Sequence, residues 1–537
     1  MNPEINTEVE LKLAIADGAM AALRRDPLLA KPLSHGSARL LNQYFDTPAL
    51  TLRRRGIAVR IRKSGRTWLQ TVKLTGTVEG GLSTRPEWEQ RFGGHFDFSA
   101  IDDLALRRLL EREQAHLAVV FATDFRRETW VVEAAPGCRI EVALDRGSIR
   151  AGDAVLPLAE LELESKSATP AQLLAFGSAL AQRHALFADA RSKAARGYAL
   201  FAGEPALAPR HACQPALSAD QTCGQAFCTI ARECLAQIAA NLLGAVDSDD
   251  PEYAHQLRVG VRRLRSAIKL FEPLLPDGFA STWQPQLRTL AALAGEAREW
   301  DVLLSEILAP VVRLAPDYPG LDELLAAAQV RRDAARETMR SGLRRPAGAA
   351  LVISLMREIH LLATSPGQTR PLAEPQTEPQ TEKSSDQASD RQPKPPEPLQ
   401  PRLADFAAAQ MQRLGRRAGK AAAAARKGEV ARLHALRLRL KRLRYATEFL
   451  GQLLRLPDAR GLRKIVALQT SLGLLNDLSV SGPLMEALAH AHPHTRAAIA
   501  FVGGHHLAAW HDRAVPDTIR AIRWKSLARD WQPKRKP

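Results

Sequence analysis

Glu8-Val9-Glu10-Leu11-Lys12 alternates charged and aliphatic side chains almost from the first residue of this 537-residue chain. In an extended strand, alternate residues share a face, so Glu8, Glu10 and Lys12 point one way and Val9 and Leu11 the other. Two carboxylates and an ammonium on one face are costly to bury without partners. They make chemical sense where a divalent cation meets a phosphate, with oxygens for the metal and a nitrogen for the anion. One such string also describes an exposed strand edge, so its weight depends on recurrence.

It recurs. Arg60 and Arg62 form a second set, and Lys73 stands on the next strand. Arg85, Glu87 and Glu89 share a face, as do Glu141 and Asp145, and Glu160, Glu162 and Glu164 close the series. Ile61, Val72, Leu74, Val142, Leu144, Leu161 and Leu163 fill the opposite faces. A small barrel ordinarily fills its interior with apolar side chains. Here the aliphatic residues are expected to pack outward against helices while the charges share an interior. Cross-strand ion pairs on a solvated face explain any one set, but not six. Arginine and lysine would neutralise phosphate oxygens, and carboxylates from the first and last strands would hold Mg2+. Phosphoryl transfer is mostly positioning and charge neutralisation, which this inventory suits. The chain has no P-loop, so ordinary nucleotide cradling is not supported.

Residues 4–200 read mostly as strands, with helices expected over Leu104–Gln114 and Pro170–His184. Three prolines in 201–218 mark a linker. From about residue 220 the chain turns Ala-, Leu- and Arg-rich with helical periodicity. A stretch rich in Pro, Gln, Glu and Ser, 364–401, is expected to be disordered and splits that region in two.

The two halves repeat each other. His255, Arg258, Arg262 and Arg265 recur as His434, Arg437, Lys441 and Arg444 at the same offsets. Downstream, Gly295–Val302 aligns with Gly473–Val480. A duplicated helical unit is the simplest explanation. At 100° per residue each basic set lies on one helix side, with Leu257, Val261, Leu264 and Ile268, or Leu436, Leu440 and Leu443, on the other. Like charges along one face repel, so a bound anion is the expected compensation.

The formal net charge is +17. Residues 401–537 hold 26 Lys and Arg against 9 Asp and Glu, so the excess lies entirely in the last quarter. That favours a polyanionic partner there. Five cysteines without a framework spacing suggest free thiols in a reducing compartment. The N-terminus lacks signal-peptide character, and no apolar run is expected to span a bilayer. The expectation is a cytoplasmic protein with no membrane association.

The ordered series Glu8–Lys12, Tyr44-Phe45-Asp46-Thr47, Arg60-Ile61-Arg62, Gln70–Lys73, Arg85-Pro86-Glu87, Thr123–Arg127, Glu160–Glu164 and Ser192–Tyr198 resembles the CYTH family of triphosphate tunnel metalloenzymes. The resemblance implies an α+β domain over 1–203, with an eight-stranded antiparallel β tunnel and flanking helices. It also implies Mg2+, or Mn2+, and a triphosphate substrate. By the same resemblance Glu8, Glu10, Glu162 and Glu164 would hold metal. Lys12, Arg60, Arg62, Lys73, Arg85, Arg127 and Lys193 would grip phosphates, and Lys12, Glu87 and Asp145 would serve catalysis. Strand parity leaves Arg126 and Arg127 as alternatives. After a linker at 204–218, residues 219–535 resemble the CHAD domain, a duplicated all-α bundle associated with inorganic polyphosphate, for which the eight basic-face residues above are the candidates.

The combined expectation is hydrolysis of inorganic triphosphate to pyrophosphate and phosphate, with polyphosphate held by the helices. The competing readings are a non-catalytic phosphate receptor and a hydrolase of another triphosphate, such as thiamine triphosphate. Nucleic-acid binding ranks last, because no aromatic stacking platform accompanies the basic helices.

Overall fold

The computed structural model describes residues 7–16, 18–79, 81–205, 207–364, 402–454, 459–511 and 515–522. Nearly all of the stretch expected to be disordered lies outside them. Ten strands form one antiparallel sheet: β1 (Thr7–Ile15), β2 (Ser34–Asp46), β3 (Ile57–Ser64), β4 (Thr67–Leu74), β5 (Thr77–Glu79), β6 (Leu82–Arg91), β7 (Ala118–Ala135), β8 (Cys138–Ala151), β9 (Ala154–Ser165) and β10 (Leu186–Ala188). Eight of them run in the order β1-β9-β8-β7-β2-β3-β4-β6, and β6 pairs again with β1. The sheet is therefore a closed barrel, with β5 and β10 as short additions. At Gly147 a Cβ would lie 2.1 Å from the Asp124 carbonyl oxygen, so only glycine lets β7 and β8 approach this closely.

Five helices decorate the barrel: α1 (Ala19–Leu23), α2 (Thr51–Arg54), α3 (Leu104–Glu113), α4 (Pro170–Ala181) and α5 (Lys193–Phe201). The aliphatic strand faces do point outward. Val59 and Val72 pack with Leu106 and Leu110 of α3. Leu11, Leu13, Val142, Leu144, Leu161 and Leu163 pack with Leu173, Leu174 and Leu180 of α4. Thr169 and Gln172 start α4 with a capping box ahead of Pro170.

The remaining chain is helical: α6 (Cys223–Asp247), α7 (Pro251–Phe271), α8 (Phe279–Leu293), α9 (Gly295–Val302), α10 (Ala309–Leu314), α11 (Leu321–Leu343), α12 (Pro346–Thr364), α13 (Leu403–Ala425), α14 (Val430–Leu450), α15 (Ala459–Ala491), α16 (Arg496–His511) and α17 (Val515–Ala521). The hairpins α6–α7 and α13–α14 realise the duplication, and α7 touches α14. A π-helical turn at Leu303–Leu308 joins α9 to α10.

The barrel and the helices share one apolar core. α12 lies along α4, where the Ser178 and Ser354 hydroxyls meet at 2.5 Å. Here the structure corrects a sequence expectation. α12 has 19 residues and a mean hydropathy of 1.4, long and apolar enough by those measures to cross a membrane. Its apolarity has a local use, since Ala349, Val352, Ile353 and Met356 are buried in the shared core. α12 packs against both α4 and α6, so its apolar residues serve the protein's own core.

Candidate active site

Strand parity carries the charges inward. Register aligns Glu10 with Glu164, Lys12 with Glu162, Glu8 with Arg85, Lys73 with Glu87, Arg60 with Tyr44 and Arg127 with Asp145. They enclose a cavity of about 780 Å³ whose lining includes eight Lys or Arg and eight Asp or Glu side chains. Such a balanced wall can take an anion and a cation together. All seven residues expected to grip phosphate line it, and so do Glu8, Glu10, Glu162, Glu164 and Glu87.

α5 crosses the barrel end. Ser192 caps it by accepting from the Ala195 N–H, and Lys193 in its first turn reaches Asp145 at 2.7 Å and Glu162 at 3.1 Å. Gly197 lets α5 sit directly on Phe121, where a Cβ would come within 2.1 Å of the ring. Tyr198 meets the same ring edge-on.

Three charge clusters follow. In the first, Lys73 donates to Glu8 and Glu87 at 2.8 and 2.7 Å, and the Arg85 Nε donates to Glu8 at 3.1 Å. Burial alone would raise the Glu8 carboxyl, but Lys73 and Arg85 hold it well below the ordinary range. In the second, Arg127 grips Asp145 with two hydrogen bonds, at 2.8 and 2.6 Å, and also meets Glu162. Burial opposes ionisation of Glu162, but Lys12, Lys193 and Arg127 keep it strongly acidic. Arg196 and Lys193 both engage Glu160. In the third, Arg60 and Arg62 face Tyr44 and Asn42, and Arg62 donates to the Asn42 side chain at 2.9 Å. Burial, then Arg60 and Arg127, pull the Arg62 guanidinium down to about 10. Lys73 is lowered by burial and by Arg60. Arg62 and Lys73 are thus cations whose charge their surroundings penalise, which is where an anion would be most welcome.

The acidic residues divide unevenly. Asp145, Glu160 and Glu162 have oxygens within 4.8 Å of one another. All three are already engaged by Lys193, and Arg127 or Arg196 adds to each. Glu164 differs. Burial raises its pKa, Lys166 opposes this, and Glu8 and Glu141 raise it further. Glu164 is thus a carboxylate whose charge its neighbours disfavour, and a divalent cation fits beside it. Glu8, Glu164 and Glu141 would hold it, with Glu10 beside Glu164 in register.

Asp145 is wholly buried, does not line the cavity and pairs with Arg127 and Lys193, so a catalytic part for it would run through those two cations. Arg127 faces inward and Arg126 outward, which resolves the alternative left by sequence. Glu89, expected on the inward face of β6 with Arg85 and Glu87, lines the cavity too, and so does Tyr44, which no inward-facing set included. Period two read along β2 would have found Tyr44, which stands opposite Arg60. Glu160 and Arg196 form a supporting pair that only the placement of α5 reveals.

A family model described as the CYTH domain matches residues 6–198, and one described as the CHAD domain matches residues 229–486. The chain joins a CYTH domain to a CHAD domain. Its CYTH part is 35% identical over 198 residues to the inorganic triphosphatase of Haemophilus influenzae, a match that spans 36% of this chain and 54% of that protein. The chain thus spans about half the length of this relative. The CHAD domain from the plant Ricinus communis is similar at 30% identity, covering 62% of this chain and 98% of that one, with a TM-score of 0.44. A Hippeastrum protein described as an adenylyl cyclase with a dominant triphosphatase activity covers 37% of this chain and 97% of its own length at 19% identity and a TM-score of 0.29.

In the CHAD domain the two basic faces meet. Arg262 on α7 depresses both Arg437 and Lys441 on α14, after burial. Burial, Arg262 and Arg437 bring Lys441 down to about 7. Burial and then Arg298 bring His255 to about 4, so it is a neutral imidazole at pH 7 and offers a hydrogen bond rather than charge. His434 is exposed. Each basic face has an acidic neighbour: Glu299 faces Arg258, and Asp477 faces Arg437. Arg437 donates to Asn476 at 3.0 Å. Arg263, within the same basic string, belongs to the core instead, where it meets Glu448 of α14 at 2.6 Å and Gln237 at 2.7 Å.

Proposed function

We propose that the CYTH tunnel hydrolyses inorganic triphosphate to pyrophosphate and phosphate with Mg2+ or Mn2+, and that the CHAD faces hold inorganic polyphosphate. The observation that carries this is the closed, charge-balanced interior, in which burial and neighbouring arginines penalise the charges of Arg62 and Lys73 while burial, Glu8 and Glu141 penalise that of Glu164. The 35% identity to an inorganic triphosphatase supports the substrate class. A bound divalent cation would neutralise phosphate oxygens and polarise a water. The chain's own residues do the rest. Arg60, Arg62, Lys73 and Arg85 would spread over the phosphate oxygens and fix the chain in line for attack. Lys12, between Glu10 and Glu162, would place an ammonium against the charge that builds on the leaving pyrophosphate. Glu87, 2.7 Å from Lys73, would orient the water that adds to the terminal phosphorus. The water's oxygen ends on phosphate, the bridging oxygen leaves with pyrophosphate, and one proton is released.

Phosphate release from tripolyphosphate, thiamine triphosphate and ATP, each with and without EDTA, tests the reading. Metal-dependent release with tripolyphosphate as the preferred substrate is expected. Tight triphosphate binding without phosphate release would favour the receptor reading.

A further inference from the structure

We infer that the outer wall of the barrel carries a second anion site, distinct from the tunnel, that binds a stretch of inorganic polyphosphate. Register sets Arg39 of β2 opposite Arg126 of β7, and Arg126 opposite Arg146 of β8. These three guanidinium groups stand side by side across three adjacent strands on the outward face, and all three are exposed. Like charges directly opposite each other weaken a sheet. Only Arg39 is neutralised, by two hydrogen bonds to Asp124 at 2.9 and 2.6 Å. Arg126 donates its Nε to the Ser37 hydroxyl at 2.9 Å, and among the described residues it has no acidic partner and the Arg146 guanidinium has neither a hydrogen bond nor an ion pair. A recess of about 430 Å³ opens between Ser37, Asp124 and the three arginines.

The occupant follows from the chemistry. Planar guanidinium groups in a row match a run of oxyanions, each able to take two hydrogen bonds. Polyphosphate presents such a run without bases. The recess has no exposed ring to stack a base, since its one aromatic, Phe125, is buried. The inference does not depend on catalysis in the tunnel or on the CHAD faces.

Phenylglyoxal footprinting of the full-length protein, read by peptide mass spectrometry, tests it. Polyphosphate of about 25 units, an arbitrary chain length long enough to cover the row, is expected to slow modification of Arg126 and Arg146 at least fivefold. Single-stranded DNA of equal total charge is expected to slow it less than twofold. The Arg126→Gln/Arg146→Gln variant should bind that polyphosphate at least threefold more weakly while keeping wild-type turnover of tripolyphosphate. Unchanged modification rates with polyphosphate, equal protection by DNA, or unaltered affinity in the double variant would each overturn the inference. The Arg262→Gln/Arg437→Gln variant tests the CHAD face separately, so loss there leaves the footprint at Arg126 and Arg146 intact.

Discussion

Single residues in the tunnel are held by several partners at once, so their replacement has two effects. Glu8→Gln removes a carboxylate from the proposed metal set and also frees Lys73 and Arg85. Metal-dependent turnover is expected to fall by ~100-fold, the scale of losing one preorganised electrostatic contact. The metal concentration at half-maximal rate should rise as well. Unchanged kinetics would place metal and water elsewhere. Lys441 carries a different kind of prediction. Its folded pKa of about 7 lies below the ordinary 10.5, and Arg262, Arg437, Arg444 and Asp477 surround it. Below pH 7 it must be charged at a cost, so stability of the empty protein should rise between pH 7 and about 10. Polyphosphate favours the ammonium form, so affinity should fall over that same interval. Lys441→Arg should flatten the fall, and a titration of binding against pH at constant ionic strength checks it.

At the scale of elements, α5 couples packing to chemistry. It is short, it packs on β7, β8 and β9, and its first residue lines the cavity. Gly197→Ala would drive a methyl into the Phe121 ring, an overpacking worth ~2 kcal/mol. α5 should shift and withdraw Lys193 from Asp145 and Glu162, lowering both the melting temperature and kcat. Adding Phe121→Leu should restore part of both, whereas recovery of stability without activity would separate packing from the position of Lys193. The parity of the strands was legible in the sequence because period two is local, and each alternation already declared its face. α5 was not legible in that way, since Ser192 and Lys193 look like any helix start until the barrel end they close is known. The same holds for α7 and α14. Offsets alone identified the duplication, but that Arg262 faces Lys441 while Arg263 sinks into the core depends on how the two helices cross.

For the whole molecule, the continuous core between barrel and helices makes α4 and α12 one structural unit. A single calorimetric transition is expected, with the van't Hoff and calorimetric enthalpies in agreement. Two resolved transitions would show that the domains unfold independently. Ile353→Asp buries a carboxylate beside Gly177 and should lower the stability of the barrel as well as the helices, by ~3 kcal/mol or more. Near-UV signals from the barrel residues Trp68, Trp88 and Trp130 would report the loss.

The sequence by itself determined that charges line an antiparallel tunnel and that two basic helix faces repeat, because alternation and offset are properties of neighbouring residues. Tertiary structure alone decided how those charges are shared. Lys193, Arg127 and Arg196 neutralise Asp145, Glu160 and Glu162, while Glu164, paired with Lys166, is opposed by Glu8 and Glu141. That division depends on distances between strands far apart in the chain, and Coulomb energy depends on separation in space rather than in sequence.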